Sequence, residues 1–123
     1  MLDIEFRGKY TYNNKFVYGY LDYSKKDKSY IIHTGNGVRY FVKPETVGPY
    51  IGLEDKNRKK IFLGDIVRGA YIKSSGEVVV ISGAIKYALY RFQIWGKYVI
   101  DLRDIRDIEV IGNIYDNPEL LEV

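Results

Sequence analysis

Residues 47–67 read VGPYIGLEDKNRKKIFLGDIV, and this stretch decides the expected fold. One apolar run ends at Leu53, residues 54–60 carry no apolar side chain, and a second apolar run begins at Ile61. Asp and Asn tolerate turn conformations and bond their own backbone, so the reversal is expected at Asp55–Asn57. The stretch therefore predicts a strand, a polar loop and a second strand.

Gly64 and Asp65 interrupt the second apolar run before Ile66 and Val67. An aspartate at such a position can accept hydrogen bonds from backbone amides and hold a turn. Asp65 as a general base is the alternative, but the sequence identifies no partner with a tunable proton. We therefore expect Asp65 to have a structural role.

Two hairpins are predicted upstream of this stretch. Residues 10–21 have the pattern of a strand, an Asn13-Asn14 turn and a second strand. Residues 30–33 and 38–42 are apolar runs that flank Thr34-Gly35-Asn36-Gly37. Glycines on both sides of an asparagine permit positive backbone angles, so this is the clearest hairpin signal in the chain.

The segment Ala84 to Trp95 is apolar on both faces and rich in aromatic residues, which is typical of a strand buried from two sides. A helix is the competing interpretation, because several of its residues also recur at helical spacing. Nearby glycines and the aromatic content favour the strand.

Two short helical turns are predicted near the C-terminus. Apolar residues recur every three positions from Val99 to Ile108, a spacing that suits a short helical or 3₁₀ turn between strands. Asn117-Pro118-Glu119 is a favourable helix start, with asparagine as the cap and proline in the first position.

These patterns predict an all-β fold, a small SH3-like barrel or roll with additional N-terminal β-hairpins and a short C-terminal helical turn. We expect one domain over residues 1–123, which a chain of this length normally forms. Its parts would be hairpins over 1–46, a barrel-like core over 47–115 and a turn over 116–123.

Composition excludes several classes of protein. The chain has no cysteine, which rules out disulfides and thiolate metal sites. No apolar run approaches the roughly 18 residues of a membrane helix, and charged residues near the N-terminus argue against a signal peptide. We therefore expect a cytoplasmic protein without membrane association. The net charge of +3 is mild for a dedicated DNA-binding domain.

Catalytic and metal sites are not expected. His33 is the only histidine, so neither a nucleophile triad nor a histidine-rich metal site can be assembled from this chain. Asp101, Asp104 and Asp107 are interleaved with arginines that would neutralise the field a divalent cation needs. We expect a solvated, salt-bridged turn there, with no cofactor and no metal.

Basic residues form the candidate ligand site. Four of them lie in the loop of the central stretch, and a fifth follows that loop. Two more lie near the C-terminus and would add to the positive field if the fold brings them close. These residues are Lys56, Arg58, Lys59, Lys60, Arg68, Arg103 and Arg106. Such a loop can bind phosphate through charge and through arginine forks. Glu54 and Asp55 weaken this interpretation, and a solvated loop is the alternative.

The central stretch also resembles the YopX family of phage and prophage proteins, whose signature runs like tGL.DkNGk.Iy.GDIV. Residues 108–121, IEVIGNIYDNPELL, are similar to the closing motif of that family, eVIGNiyeNPeLL. The matching motif residues, which we expect to be structural, are Gly52, Leu53, Asp55, Asn57, Gly64, Asp65, Gly112, Asn113 and Pro118. The chain departs from the family pattern at Ile51, Arg58 and Leu63. Since Arg58 replaces the turn glycine, we expect a longer loop than a two-residue Asn-Gly hairpin.

The resemblance implies a barrel-type architecture, a tendency to oligomerise and a viral context, but no settled activity. We expect a non-enzymatic accessory protein that acts on a host component, either by sequestering an anionic nucleotide-type signal or by blocking a host protein. The alternative is a small β-barrel that binds nucleic acid. An enzyme is the third class, which the absent cysteine and the single histidine disfavour. The 13 tyrosines also suggest a homo-oligomer, although strand structure explains them as well.

Overall fold

The computed structural model describes residues 4–121 and confirms the all-β prediction. These residues form eleven strands joined by turns and three short 3₁₀ turns. The strands are β1 Phe6–Lys9, β2 Phe16–Ser24, β3 Ser29–His33, β4 Arg39–Val42, β5 Gly48–Glu54, β6 Lys60–Phe62, β7 Asp65–Ile72, β8 Val78–Ala88, β9 Arg91–Gly96, β10 Val99–Asp101 and β11 Ile105–Asn113. The 3₁₀ turns are Pro44–Thr46, Leu102–Asp104 and Pro118–Leu121.

The chain divides into two compact units, of which the first ends at Gly52 and the second begins at Leu53. In unit 1 the strands lie in the order β4-β3-β2-β1-β5, with antiparallel pairing. The predicted hairpin around Thr34–Gly37 is confirmed as the connection between β3 and β4. Gly35 and Gly37 both have positive φ there, at 87° and 86°.

The first predicted hairpin needs a correction. Its Asn13-Asn14 turn is present, but the strand that enters it is β1, and Tyr10–Tyr12 belong to the connecting loop. The Tyr10 N–H donates to the Lys15 carbonyl and the Asn14 N–H donates to the Tyr10 carbonyl, so backbone bonds close the loop at Tyr10. Asn14 has a φ of 59°, which asparagine tolerates better than most residues.

The core of unit 1 combines branched aliphatic side chains with two buried cations. Ile31 and Ile32 are fully buried, and Arg7 and Lys9 are only 4% and 3% exposed. The Arg7 guanidinium lies 4.2 Å from the centre of the Phe16 ring, and the Lys9 Nζ lies 4.8 Å from it. An aromatic face attracts cations, so Phe16 stabilises both charges.

Unit 2 contains a five-stranded antiparallel sheet in the order β10-β9-β8-β7-β11. The hydrophobic side chains buried in unit 2 are Ile61, Phe62, Ile66, Val67, Ala84, Ile85, Ile94, Leu102 and Ile105. The pairing of β7 with β11 shifts register between Arg106 and Glu109, which marks a bulge. Asp107 lies in this bulge with a φ of 55°. The SH3-like detail of the predicted core stays a prediction.

The prediction of one strand from Ala84 to Trp95 is wrong. The segment forms the end of β8 and most of β9, which Leu89 and Tyr90 join as a two-residue turn. Both turn residues have positive φ, 54° and 63°, as a type I′ turn requires. The turn escaped prediction because such turns normally carry Asn-Gly or Asp-Gly. The helical alternative is excluded, since residues 84–88 and 91–95 pair as antiparallel strands.

Both helical turns predicted near the C-terminus are present. The turn Leu102–Asp104 is capped by the Asp101 carboxylate, which accepts a hydrogen bond from the Arg103 N–H. The turn Pro118–Leu121 follows Asn117, but the side-chain oxygen of Asn117 accepts from the Asn113 N–H. Asn117 therefore fixes the entry into the turn through the preceding strand.

No helix within residues 4–121 is long and apolar enough to cross a membrane.

Candidate functional site

The basic loop consists of residues 55–59, which join β5 to β6, together with Lys60 at the start of β6 in unit 2. The Asp55 N–H donates to the Lys59 carbonyl at 2.8 Å, and the Arg58 N–H donates to the Asp55 carbonyl at 2.9 Å. Arg58 has a φ of 63°, the left-handed conformation in which such loops usually have glycine. The prediction of a loop longer than two residues is confirmed.

The Asp55 carboxylate holds the basic loop in shape. Asp55 is 7% exposed, and its Oδ1 accepts from the N–H groups of Asn57 and Lys59 at 2.8 and 2.9 Å. Its Oδ2 accepts from the Val110 N–H at 2.9 Å. Burial alone would raise the pKa of this carboxyl, but the N–H groups of Val110, Lys59 and Asn57 together hold the pKa of Asp55 below its usual value. Asp55 is therefore ionised at neutral pH.

A second backbone contact ties the basic loop to β11. The Lys56 N–H donates to the Ile108 carbonyl at 2.8 Å, beside the bond between Val110 and Asp55. The loop is thus fixed both to itself and to a strand of the sheet. A loop whose backbone is already ordered loses less conformational entropy when it binds a ligand.

The cationic side chains of the loop point into solvent. Lys56, Arg58 and Lys59 are exposed, and Lys60 is partly buried. Within residues 4–121, neither Lys56, Arg58 nor Lys59 forms an ion pair. These three charges are consequently available to an external anion.

The structure gives two of the other predicted basic residues acidic partners. The Arg68 Nη2 on β7 lies 2.9 Å from the Glu109 Oε1 on β11. The Arg103 Nε lies 3.3 Å from the Asp101 Oδ2, and the Arg91 Nη1 lies 3.1 Å from the same oxygen. Ion pairing lowers the positive field of Arg68 and Arg103, so both are weaker candidates than the loop residues.

Arg103 and Arg106 lie together in a shallow depression of about 400 Å³ that Tyr71 also lines. Asp104 is a further lining residue, and no residue of the basic loop is among the described ones. The seven predicted residues therefore fall into three groups. The first is the four cations of the basic loop, of which Lys60 is partly buried, the second is the pair at the depression, and the third is Arg68 with its partner Glu109.

The family relationship follows from a sequence comparison. The sequence model of the YopX protein family matches residues 5–122. The chain belongs to this family. A comparison with curated proteins gave no significant match.

In this YopX-family chain the Gly64-Asp65 motif forms the connection between β6 and β7. The Asp65 Oδ2 accepts from the Phe62 N–H at 2.8 Å, and Asp65 is 2% exposed. Gly64 has a φ of 93°, and a Cβ there would also lie 3.4 Å from the Tyr115 ring. The turn therefore needs glycine for its conformation and an acceptor at the next position, which fits the predicted structural role of Asp65.

The closing YopX motif also has a packing reason. A Cβ at Gly112 would lie 2.6 Å from the Asn117 Oδ1, so only glycine lets that side chain reach the Asn113 N–H. The Asn113 Oδ1 accepts from the N–H groups of Tyr115 and Asp116. Pro118 then begins the last 3₁₀ turn.

Three further YopX motif positions precede or belong to the basic loop in the sequence: Gly52, Leu53 and Asn57. Gly52 has a φ of 87° in the exposed part of β5, a conformation that a side chain would strain. Leu53 is 49% exposed, so its position in the motif is not explained by burial in the core. Asn57 supplies one of the N–H groups that Asp55 accepts from.

His33 has an acidic neighbour on the adjacent strand. The His33 Nε2 lies 3.3 Å from the Asp22 Oδ2. The Tyr23 N–H and then His33 lower the pKa of Asp22. The pair is solvent-exposed on β2 and β3. Within the described residues, no group of three or more His, Cys, Asp or Glu side chains is arranged to hold a metal ion.

Proposed function

We propose that this YopX-family protein is a non-enzymatic, phage-type accessory protein that binds an anionic ligand of nucleotide type at the basic loop. Its role would be counter-defence in the bacterial cytoplasm, by removing a host signal that carries phosphate. The supporting observation is the loop itself: Lys56, Arg58 and Lys59 are exposed and not ion-paired within the described residues, on a backbone that Asp55 fixes.

Physical arguments support arginine at the centre of this site. Arg58 has a positive φ of 63°, which costs an ordinary residue roughly 1–2 kcal/mol. Glycine would avoid that cost but would bring no charge. The guanidinium offers forked donors for phosphate and a planar face for a base. A strained arginine in an exposed loop is consistent with a ligand-binding role.

Arg58→Ala should weaken the binding of nucleotides by on the order of tenfold, because a charge-assisted hydrogen bond is lost. The melting temperature should stay unchanged, since alanine keeps the same strained backbone. Calorimetric titration with mono-, cyclic and oligonucleotides measures the affinity. Lys86→Ala is the matched control, because Lys86 is exposed on β8 of the same unit. Equal affinities of the two variants would refute the loop as the binding site.

Binding of single-stranded nucleic acid is the second candidate. Lys56, Arg58 and Lys59 are exposed, so the loop suits a phosphate backbone that passes over it. Strand binding releases counterions and weakens steeply between about 50 mM and about 200 mM salt. The same titrations at both salt concentrations therefore separate a strand from a mononucleotide.

The blocking of a host protein is the other form of counter-defence, and the β8–β9 turn favours it. The apolar Leu89 and the aromatic Tyr90 are 77% and 95% exposed. The backbone of both residues is strained by a positive φ. Tyrosine is enriched at the centres of protein interfaces. The turn therefore provides a contact point for a protein partner.

We also propose that the protein is a homo-oligomer whose contacts use tyrosine-bearing strands. Tyr18, Tyr20 and Tyr23 on β2 are 44%, 65% and 48% exposed, more than core packing requires. Light scattering at micromolar concentration should give a mass well above the 14.3 kDa of one chain. Tyr20→Ser should lower that mass, and a monomer mass for the parent protein would contradict the proposal.

A further inference from the structure

Unit 1 contains a groove of about 520 Å³ that combines aromatic rings with two lysines. Its size is typical of sites for small organic ligands. Its lining residues include Tyr23, Tyr30, Val42, Lys28 and Lys43, and none of the described lining residues is acidic. The groove belongs entirely to unit 1 and contains no residue of the basic loop.

The floor of the groove is a row of three side chains across neighbouring strands. Tyr23 on β2 pairs with Tyr30 on β3, and Tyr30 pairs with Val42 on β4. Adjacent strands lie about 4.8 Å apart, so the row is roughly 10 Å long, the length of a nucleobase with its sugar. The two tyrosine rings lie 5.0 Å apart at 64° to each other. This edge-to-face arrangement leaves a ring face open for stacking.

The two lysines lie on one side of this row, beyond one end of its strands. Lys43 follows Val42, and Lys28 precedes Ser29 and Tyr30, so antiparallel pairing places both at the same end of the strands. The Lys43 Nζ donates to the neutral Asn14 Oδ1 at 2.9 Å. Within residues 4–121, neither lysine forms an ion pair with a carboxylate. Both lysines are therefore available to an anion.

The turn that carries Lys28 is ordered by its own side chains. The Ser24 hydroxyl donates to the Asp27 carboxylate and accepts from the Asp27 N–H. The Ser29 hydroxyl donates to the Asp27 carbonyl. Lys28 has a φ of 51°, a position that glycine or asparagine normally fills. A lysine in a strained position at the mouth of a groove is consistent with a ligand clamp.

We propose that this groove binds one nucleotide unit, with the base on the Tyr23–Tyr30–Val42 row and the phosphate between Lys28 and Lys43. The unit belongs either to a free nucleotide or to a single strand. Base stacking on tyrosine is independent of sequence, and lysines bind phosphate as point charges. This site is additional to the basic loop, and the two sites can be tested independently of each other.

AMP and a short oligoadenylate are the probes, titrated by calorimetry against the full chain. Three variants should weaken their binding by about tenfold each, through loss of a charge or of a stacking face: Lys28→Gly, Lys43→Ala and Tyr30→Leu. Lys28→Gly should also raise the melting temperature, because glycine relieves the positive φ. Tyr30→Leu keeps an apolar side chain, and a thermal melt of this variant checks that the strand still forms.

Lys26→Ala is the matched control, since Lys26 lies in the same turn but does not line the groove. AMP binding that depends on the three variants and not on Lys26 supports a free nucleotide. The same dependence with the oligonucleotide alone supports a strand. If neither probe binds, or if Lys26→Ala lowers the affinity as much as the three groove variants do, the proposal that the groove binds a nucleotide is wrong. Loss of binding with Arg58→Ala alone would also overturn it while leaving the basic loop as the site.

Discussion

Asp55→Ala should lower the free energy of unfolding by on the order of 3 kcal/mol, because three backbone N–H groups lose their acceptor together. The donors belong to Asn57, Lys59 and Val110, and the carboxylate that binds them is 7% exposed. The melting temperature should fall by roughly 10 °C for a chain of this size. Urea denaturation monitored by circular dichroism gives the free energy directly.

Asp104→Ala is the control for this variant, because Asp104 is an exposed carboxylate of the same unit. It should change stability by less than about 0.5 kcal/mol. A loss for Asp55→Ala no larger than that of the control would show that water replaces the carboxylate without cost.

The contribution of Asp55 to the free energy of unfolding should decrease as the pH falls. Its folded-state pKa is lowered, so its contribution is fully present above the unfolded value of about 3.9 and is lost as the pH falls through the folded-state pKa. The stability difference between the parent and Asp55→Asn should therefore narrow as the pH drops below about 4. A difference that stays constant well below that pH would contradict the assignment of the charge to Asp55.

Replacing Leu89 with Asn and Tyr90 with Gly should raise the free energy of unfolding by about 1–2 kcal/mol. Both residues have positive φ, and they are 77% and 95% exposed, so the strain is not offset by burial. Asn-Gly is the preferred sequence of a type I′ turn. Thermal melts and urea denaturation should both show the gain.

Leu89→Ala separates strain from exposure. This variant removes the exposed side chain but leaves a Cβ at positive φ, so its stability should stay within about 0.5 kcal/mol of the parent. A gain as large as that of the double variant would mean that the exposed apolar surface, and not the backbone, is the cause.

Much of unit 1 and the central loop could be predicted because the relevant chemistry is local. Gly35 and Gly37 predict a hairpin because glycine readily adopts positive φ. Asp55 predicts a turn because its short polar side chain can bond the local backbone. Replacement of glycine by Arg58 correctly indicated a longer loop, since its φ of 63° belongs to a bulged five-residue connection.

The missed features depend on contacts between distant parts of the chain or on broken local rules. The β8–β9 turn uses Leu89 and Tyr90, which carry no turn signal. The cations Arg7 and Lys9 are buried against Phe16, which alternation of residue types along β1 does not reveal. Ion pairing of Arg68 with Glu109 depends on strand register, so the sequence overestimated the positive field of Arg68. The pair of Arg103 with Asp101 is local and lies at the turn where a salt bridge was predicted.

The bond between the Asp55 carboxylate and the Val110 N–H joins residues that are 55 positions apart in the chain. A contact of such sequence separation requires the closure of a long segment, whose entropy must be lost before the bond can form. We therefore expect this bond to form late in folding, after the hairpins between β7, β8 and β9. Interactions that form after the transition state slow unfolding and hardly change the rate of folding. We therefore expect Asp55→Ala to shorten the lifetime of the folded state, and so to speed proteolysis when cleavage is faster than refolding.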